Sequence, residues 1–313
     1  MSTIILCPGQ GAQTVGMSKA WAEVSEASRA IFERADDVLG DSLGAPLSQL
    51  CFEGPADTLN RTDVSQPAIF AASVACFAGW LDESNMTAKE LGIVAAAGLS
   101  LGEYTALHLG GAFSFEDGLK LVALRGRAMQ DAAEAVDSSM VALIGADEEK
   151  AAAVCDQARG NDILVAANFN APGQVVISGS QAACDRAETV ASEMGLRAKA
   201  LEVAGAFHSP IMQPAADRLA EGLAATAIKA PACTVMANVT AMPHENDPDS
   251  IRMKLVDQLT SPVRWAACCE HLVKNHSGAD FHELAPGKSL GGMMRRIDRA
   301  TKVQAHNEPV TVS

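Results

Sequence analysis

Short apolar runs alternate along this chain with longer stretches whose apolar positions recur every third or fourth residue. Ile4 to Cys7, Ile93 to Leu99 and Ala279 to Leu284 are strand-sized, and each leads into a turn and a helical pattern. That alternation predicts an α/β fold around a largely parallel sheet. The longest apolar segment, Ala68 to Leu81, has the length of a buried core helix and falls short of a membrane span. From Ser139 to Val203 the rhythm changes. It gives a strand (Met140 to Gly145), a helix (Asp147 to Ala158), two strands (Ile163 to Asn168 and Gln174 to Ser178) around an Asn-Ala-Pro-Gly turn, a helix (Gln181 to Met194) and a last strand (Arg197 to Val203). This βαββαβ order is the ferredoxin-like pattern. A small ferredoxin-like domain, 137–204, is therefore expected as an insertion in a large α/β domain made of 1–136 and 205–313.

Composition narrows the class of partner. The formal charge of −14 and a pI near 4.9 argue against nucleic acid and anionic membranes, because a net negative field repels polyanions. The eight cysteines, at 7, 51, 76, 155, 184, 233, 268 and 269, form no CxxC pair and no zinc spacing. They read as buried small hydrophobes in a reducing compartment, with no metal and no bound cofactor expected. The first apolar run is too short for a signal-peptide core, which points to a cytoplasmic protein. Two glycosylation-type triplets, Asn60-Arg61-Thr62 and Asn238-Val239-Thr240, have no meaning without a secretory route.

Gly98-Leu99-Ser100-Leu101-Gly102 satisfies GxSxG where that pattern needs to lie, between a buried strand and a helix. A tight turn there strains the serine backbone, and side chains at the flanking glycines would collide with neighbouring chain. The helix start offers free N–H groups to an oxyanion, that of Leu101 nearest. With this elbow the large domain is expected to be α/β-hydrolase-like; the alternative is a packing turn. A serine nucleophile needs a base. His108 lies two turns along the following helix, where it cannot reach back; His271 and His276 read as surface helix residues, and His306 as part of the tail. His208, between a strand and the Ser209-Pro210 helix start, stands where an α/β sheet carries ligands. No acid between 100 and 208 ends an apparent sheet strand, so a hydrolase triad is poorly supported.

Arg125 raises a separate question. Ser114 and Asp117 open a helical stretch in which Lys120, Arg127, Gln130, Asp131 and Glu134 share one arc. Leu121, Val122, Leu124, Ala128 and Met129 share the opposite one, and Arg125 falls in its middle. A guanidinium there should meet a carboxylate, either an internal Asp or Glu or one brought by a ligand.

Eight stretches in order carry a family resemblance over nearly the full length. They are PGQGAQ (8–13), TDVSQPAIF (62–70), GLSLGEYTAL (98–107), LRGRAMQ (124–130), AANFNAPGQVVISG (166–179), GAFHSPIM (205–212), QLTSPVRW (258–265) and ELAPGKSLGGM (283–293). The chain resembles the malonyl-CoA:acyl carrier protein transacylases of fatty acid synthesis. The resemblance implies Ser100 as nucleophile, His208 as base and Arg125 as the clamp for the malonyl carboxylate. It implies the backbone N–H groups of Gln10 and Leu101 as oxyanion hole, and the main-chain carbonyl of Gln258 as the group that orients His208. Phe207 and Met129 would wall the acyl pocket. Malonyl-CoA is the implied donor and the phosphopantetheine thiol of an acyl carrier protein the acceptor, in a ping-pong reaction through a malonyl-serine. For the acidic carrier, Lys288, Arg295, Arg296 and Arg299 are candidate docking residues, against the simpler reading of a solvated helix end. The chain departs from the family at Leu99, where members commonly carry histidine. PGKS at 286–289 is no phosphate loop, since position 282 is histidine rather than glycine.

Overall fold

The computed structural model describes residues 2–310. Its strands are β1 (Thr3–Cys7), β2 (Ile93–Gly98), β3 (Ser138–Ile144), β4 (Leu164–Ala171), β5 (Gln174–Ser180), β6 (Arg197–Ala200), β7 (Thr234–Ala237), β8 (Met242–Pro243), β9 (Asp280–Leu284) and β10 (Val303–His306). Six of them form one sheet in the order β10-β9-β1-β2-β7-β8, parallel except at β8. Both faces of this sheet are covered. Ile5 and Cys7 of β1 enter one apolar core and Ile4 and Leu6 the other, so the strand is apolar throughout, as a doubly covered parallel strand must be. The chain leaves β1 toward β2 on one side and later returns to β9 on the other. Ligands gather at such a reversal, beyond the carboxyl ends of the strands.

The Thr62–Ser84 helix fills the larger core. Among the described residues it is the one helix long and apolar enough to cross a membrane, but 89% of its apolar window is buried inside the protein. It begins earlier than the apolar run because its first turn, including Asp63 and Gln66, is buried as well.

The second sheet, β4-β5-β3-β6, is antiparallel and comes from one continuous stretch of chain. The Glu148–Ala158 and Gln181–Glu193 helices cover one face. Val141, Leu143, Val175 and Ile177 point into that small core. Met140, Ala142 and Val176, on the other face, belong to the main core instead.

Several elements differ from the sequence expectation. β4 runs on to Ala171 through two register shifts, and β6 stops at Ala200 because Leu201, Glu202 and Val203 turn in to line a cleft. β7 and β10, four residues each, are too short to leave a periodic signal. His306 is no tail residue: it closes β10, is 5% exposed, and stacks on Trp80 at 3.9 Å between ring centroids. His271 and His276 are half-buried.

Candidate active site

Three loops meet beyond the carboxyl ends of β1, β2 and β7. After β2 the chain reverses at Ser100, whose φ is +52°. A left-handed non-glycine residue costs about 1–2 kcal/mol, so its neighbours must hold it. The flanking glycines permit the close packing: a Cβ on Gly98 would lie 1.8 Å from the Gly102 carbonyl carbon, and one on Gly102 would lie 2.2 Å from the Cys7 oxygen. The Ser100 N–H donates to Asn238 Oδ1 (2.7 Å), and the Ser100 carbonyl accepts from Gln258 Nε2 (3.1 Å). Asn238 follows β7 directly and is tied to the elbow again through Nδ2, which donates to the Gly98 carbonyl at 2.8 Å.

His208 also has positive φ, +56°, and the Ser209 hydroxyl caps the turn that follows. Its Nε2 lies 2.8 Å from Ser100 Oγ, and its Nδ1 lies 2.7 Å from the Gln258 carbonyl. A carbonyl only accepts, so the proton sits on Nδ1 and Nε2 is a free acceptor for the serine hydroxyl. Burial pushes the imidazole pKa down to about 4, the nearby Arg125 charge adds to this, and the Gln258 carbonyl opposes it. The ring is therefore neutral at physiological pH.

Arg125 is 1% exposed. Its Nη1 donates to Gln66 Oε1 (2.6 Å); its Nη2 donates to Gln258 Oε1 (2.9 Å) and to Ser100 Oγ (3.0 Å). The guanidinium carbon lies 5.5 Å from the centroid of the Tyr104 ring, and Nε–H is buried without a partner. Among the described residues Arg125 forms no ion pair with a carboxylate. The internal acid allowed by the sequence is absent from its contacts; neutral amide oxygens stand in its place.

A cleft of about 670 Å³ opens onto Ser100 and His208. Gln10, Leu99, Ser100, Met129, Phe207 and His208 line it from the parallel-sheet side, and Met140, Asn168, Asn170 and Val176 from the antiparallel sheet. Among the described residues the backbone N–H groups of Gln10 and Leu101 donate to no protein acceptor. His108 bonds the Phe113 carbonyl, away from the serine. The four basic candidates are all exposed. Lys288 and Arg295 border a separate cavity with Lys302, whereas Met293, on the same Ser289–Ile297 helix, faces the cleft.

Sequence reasoning missed Gln66, Glu103, Asn238 and His244, all buried. Glu103 carried a signal of the kind that exposed Arg125, a charge in a short, mostly apolar helix, Gly102–Leu109, that is buried as far as Leu107. Asn238 ends an apolar run, a position obscured by its glycosylation-type triplet.

A strained serine with a neutral imidazole on its hydroxyl and a cation beside it equips the large sheet for acyl chemistry. The chain belongs to the acyl transferase domain family, whose model matches residues 4–296. It is 40% identical over 291 residues to the malonyl CoA-acyl carrier protein transacylase of Haemophilus influenzae, covering 93% of this chain and 90% of that one. The acyl-carrier-protein S-malonyltransferase of Burkholderia pseudomallei superposes with a TM-score of 0.90 at 38% identity, covering 99% and 97% of the two chains. A malonyl-transacylase in complex with its type II polyketide acyl-carrier protein does so at 0.91 and 35% identity, covering 99% and 97%.

Proposed function

We propose that this acyltransferase moves a malonyl group from malonyl-CoA to the phosphopantetheine thiol of an acyl carrier protein, through an ester on Ser100. Arg125 carries the reading: a guanidinium 1% exposed, with no carboxylate partner among the described residues, 3.0 Å from the hydroxyl that takes the acyl group. The free carboxylate of a malonyl unit supplies the missing anion. An acetyl unit would leave the cation with its desolvation cost. The names of the relatives support the same substrate pair.

In the first half-reaction Ser100 Oγ attacks the thioester carbonyl while His208 Nε2 takes its proton. Negative charge on the former carbonyl oxygen meets the N–H groups of Gln10 and Leu101. The C–S bond breaks, His208 returns the proton to the CoA sulfur, and malonyl stays on Ser100. In the second half the carrier thiol gives its proton to His208 and attacks the ester carbonyl; the C–O bond to Ser100 breaks and His208 returns the proton to Ser100 Oγ. The Gln258 carbonyl keeps His208 in the tautomer this needs, and Phe207 and Met129 wall the acyl group. We take 137–204 as an inserted domain whose inner sheet face roofs the cleft. Lys288, Arg295, Arg296 and Arg299 are proposed to receive the acidic carrier, with Arg296, about 60° around the helix from Met293, nearest the cleft. The protein is taken to be cytoplasmic.

Intact-mass analysis after mixing with malonyl-CoA tests the reading. A malonyl adduct is expected, lost in Ser100→Ala; Arg125→Ala should retain acylation while its preference for malonyl over acetyl falls at least about tenfold. Absence of an adduct overturns it. For the docking residues, unchanged transfer at low salt after charge reversal of Arg295 and Arg296 would remove them.

A further inference from the structure

Behind the elbow lies a second polar group that the acyl-transfer steps do not use. Glu103, one turn after Ser100, is fully buried, and so are the side chain of His244 and the whole of Asn238 and Gln258. Glu103 Oε2 accepts from the Asn238 backbone N–H (3.0 Å) and from Gln258 Nε2 (2.7 Å); both are obligate donors, so this oxygen carries no proton. Oε1 faces His244 Nε2 at 2.7 Å. His244 Nδ1 is buried with no partner. A bare lone pair there costs less than an orphaned N–H, which places the ring proton on Nε2, donating to Glu103. Three donors thus converge on one carboxylate from chain segments 135 to 155 residues away.

Two of those donors belong to the residues that grip Ser100. Asn238 holds the serine N–H and Gln258 its carbonyl, while the Gln258 main chain orients His208. The Gln258 amide cannot turn over, because Arg125 presents only donors to its oxygen and Glu103 only acceptors to its nitrogen. We propose that Glu103, completed by His244, is a positioning residue for the acyl-transfer reaction: one buried carboxylate fixes both clamps on the strained nucleophile and the residue that orients its base. The proposal rests on Ser100 being the nucleophile, and it acts through the elbow rather than through the malonyl-reading cation.

Glu103→Gln tests it with little change of shape. Its amide oxygen can keep the Asn238 and Gln258 donors, and its NH2 can meet His244 after a tautomer change, so the variant removes mainly the charge that strengthens these bonds. Ser100 acylation is measured with malonyl-CoA, with acetyl-CoA and with p-nitrophenyl acetate, alongside thermal unfolding. Both acyl-CoA rates and the neutral-ester rate are expected to fall by the same factor, about ten- to a hundredfold, with kcat rather than KM affected and the malonyl preference kept. Glu283→Gln, at another buried carboxylate, one that accepts from the Leu290 and Gly291 N–H groups and not from the elbow clamps, should lower stability without changing any of the three rates. His244→Gln, which retains a donor, should be close to wild type, whereas His244→Leu should follow Glu103→Gln. The His244 pair keeps the test open if the Glu103 variant does not fold. Wild-type rates in Glu103→Gln or His244→Leu, or loss of the malonyl rate alone, overturn the proposal. If the wild type reacts with the neutral ester but takes no malonyl, the substrate reading fails and the positioning role is still decided.

Discussion

β2 and β9 flank β1 on its two sides, and each runs through a tight turn into a helix with a buried glutamate beside it. After β9, Glu283 accepts from the N–H groups of Leu290 (2.8 Å) and Gly291 (2.7 Å), the first turn of its own helix. It satisfies groups that any helix start leaves open, with partners seven and eight residues away. After β2, Glu103 serves Asn238, His244 and Gln258, none of them in its own helix. Equal burial therefore does different work: one carboxylate finishes a local hydrogen-bond pattern, while the other ties remote chain to a residue held out of its preferred backbone region.

The hardest blow to this contrast is to exchange the serines. Ser100→Ala should lower transfer at least about a thousandfold in a steady-state assay, and Ser289→Ala, at the start of the other helix, should leave adduct formation intact. Glycines come next. A Cβ at Gly98 would lie 1.8 Å from backbone, whereas at Gly291 the nearest atom is the Glu283 carboxylate at 3.3 Å. Urea unfolding should show a loss above about 3 kcal/mol for Gly98→Ala, beyond ordinary overpacking, and about 1 kcal/mol for Gly291→Ala.

pH should separate the turns by sign. Folding lowers the His208 pKa from 6.5 to about 4, so between those values the unfolded chain binds a proton that the native state refuses. That stability is complete above pH 6.5 and is lost toward pH 4, by up to about 3 kcal/mol. Burial raises the Glu283 carboxyl above 4.5, against the pull of the Gly291 and Leu290 N–H groups. Its contribution runs the other way, present in acid and lost as pH rises through 4.5 and the higher native value. The stability differences of His208→Gln and Glu283→Gln from the wild type, followed from pH 4 to 7, should change in opposite directions. The acid limb of the acylation rate should lie near pH 4, not 6.5. The mildest change is Leu99→His: Leu99 joins the elbow through its backbone N–H to the Cys7 carbonyl (3.1 Å), and acylation should stay within about threefold.

What the sequence made legible was local. The period of each element of the small sheet depends on neighbours a few residues away, so its strand and helix order could be read. The steric need for Gly98 and Gly102 lies within a single turn, and Ser209-Pro210 marks the loop that carries His208. Arg125 announced itself as a charge in an apolar arc. Its partners stayed hidden because Gln66 and Gln258 are neutral and lie 59 and 133 residues away. Asn238, His244 and Glu103 have meaning only through such distant contacts. Four-residue strands such as β7 and β10 are set by the sheet they join rather than by any pattern of their own.

The eight cysteines are all free, seven of them buried and Cys233 partly so, and none borders the cleft. Burial raises every one of their thiol pKa values. In the proposed cycle, which would exchange one foreign thiol for another, the protein thus keeps its own sulfur protonated and seven of its eight thiols shielded from solvent. An acyl group held in the cleft would meet no cysteine onto which it could stray. In that proposed scheme, traffic in sulfur would pass through an oxygen nucleophile alone.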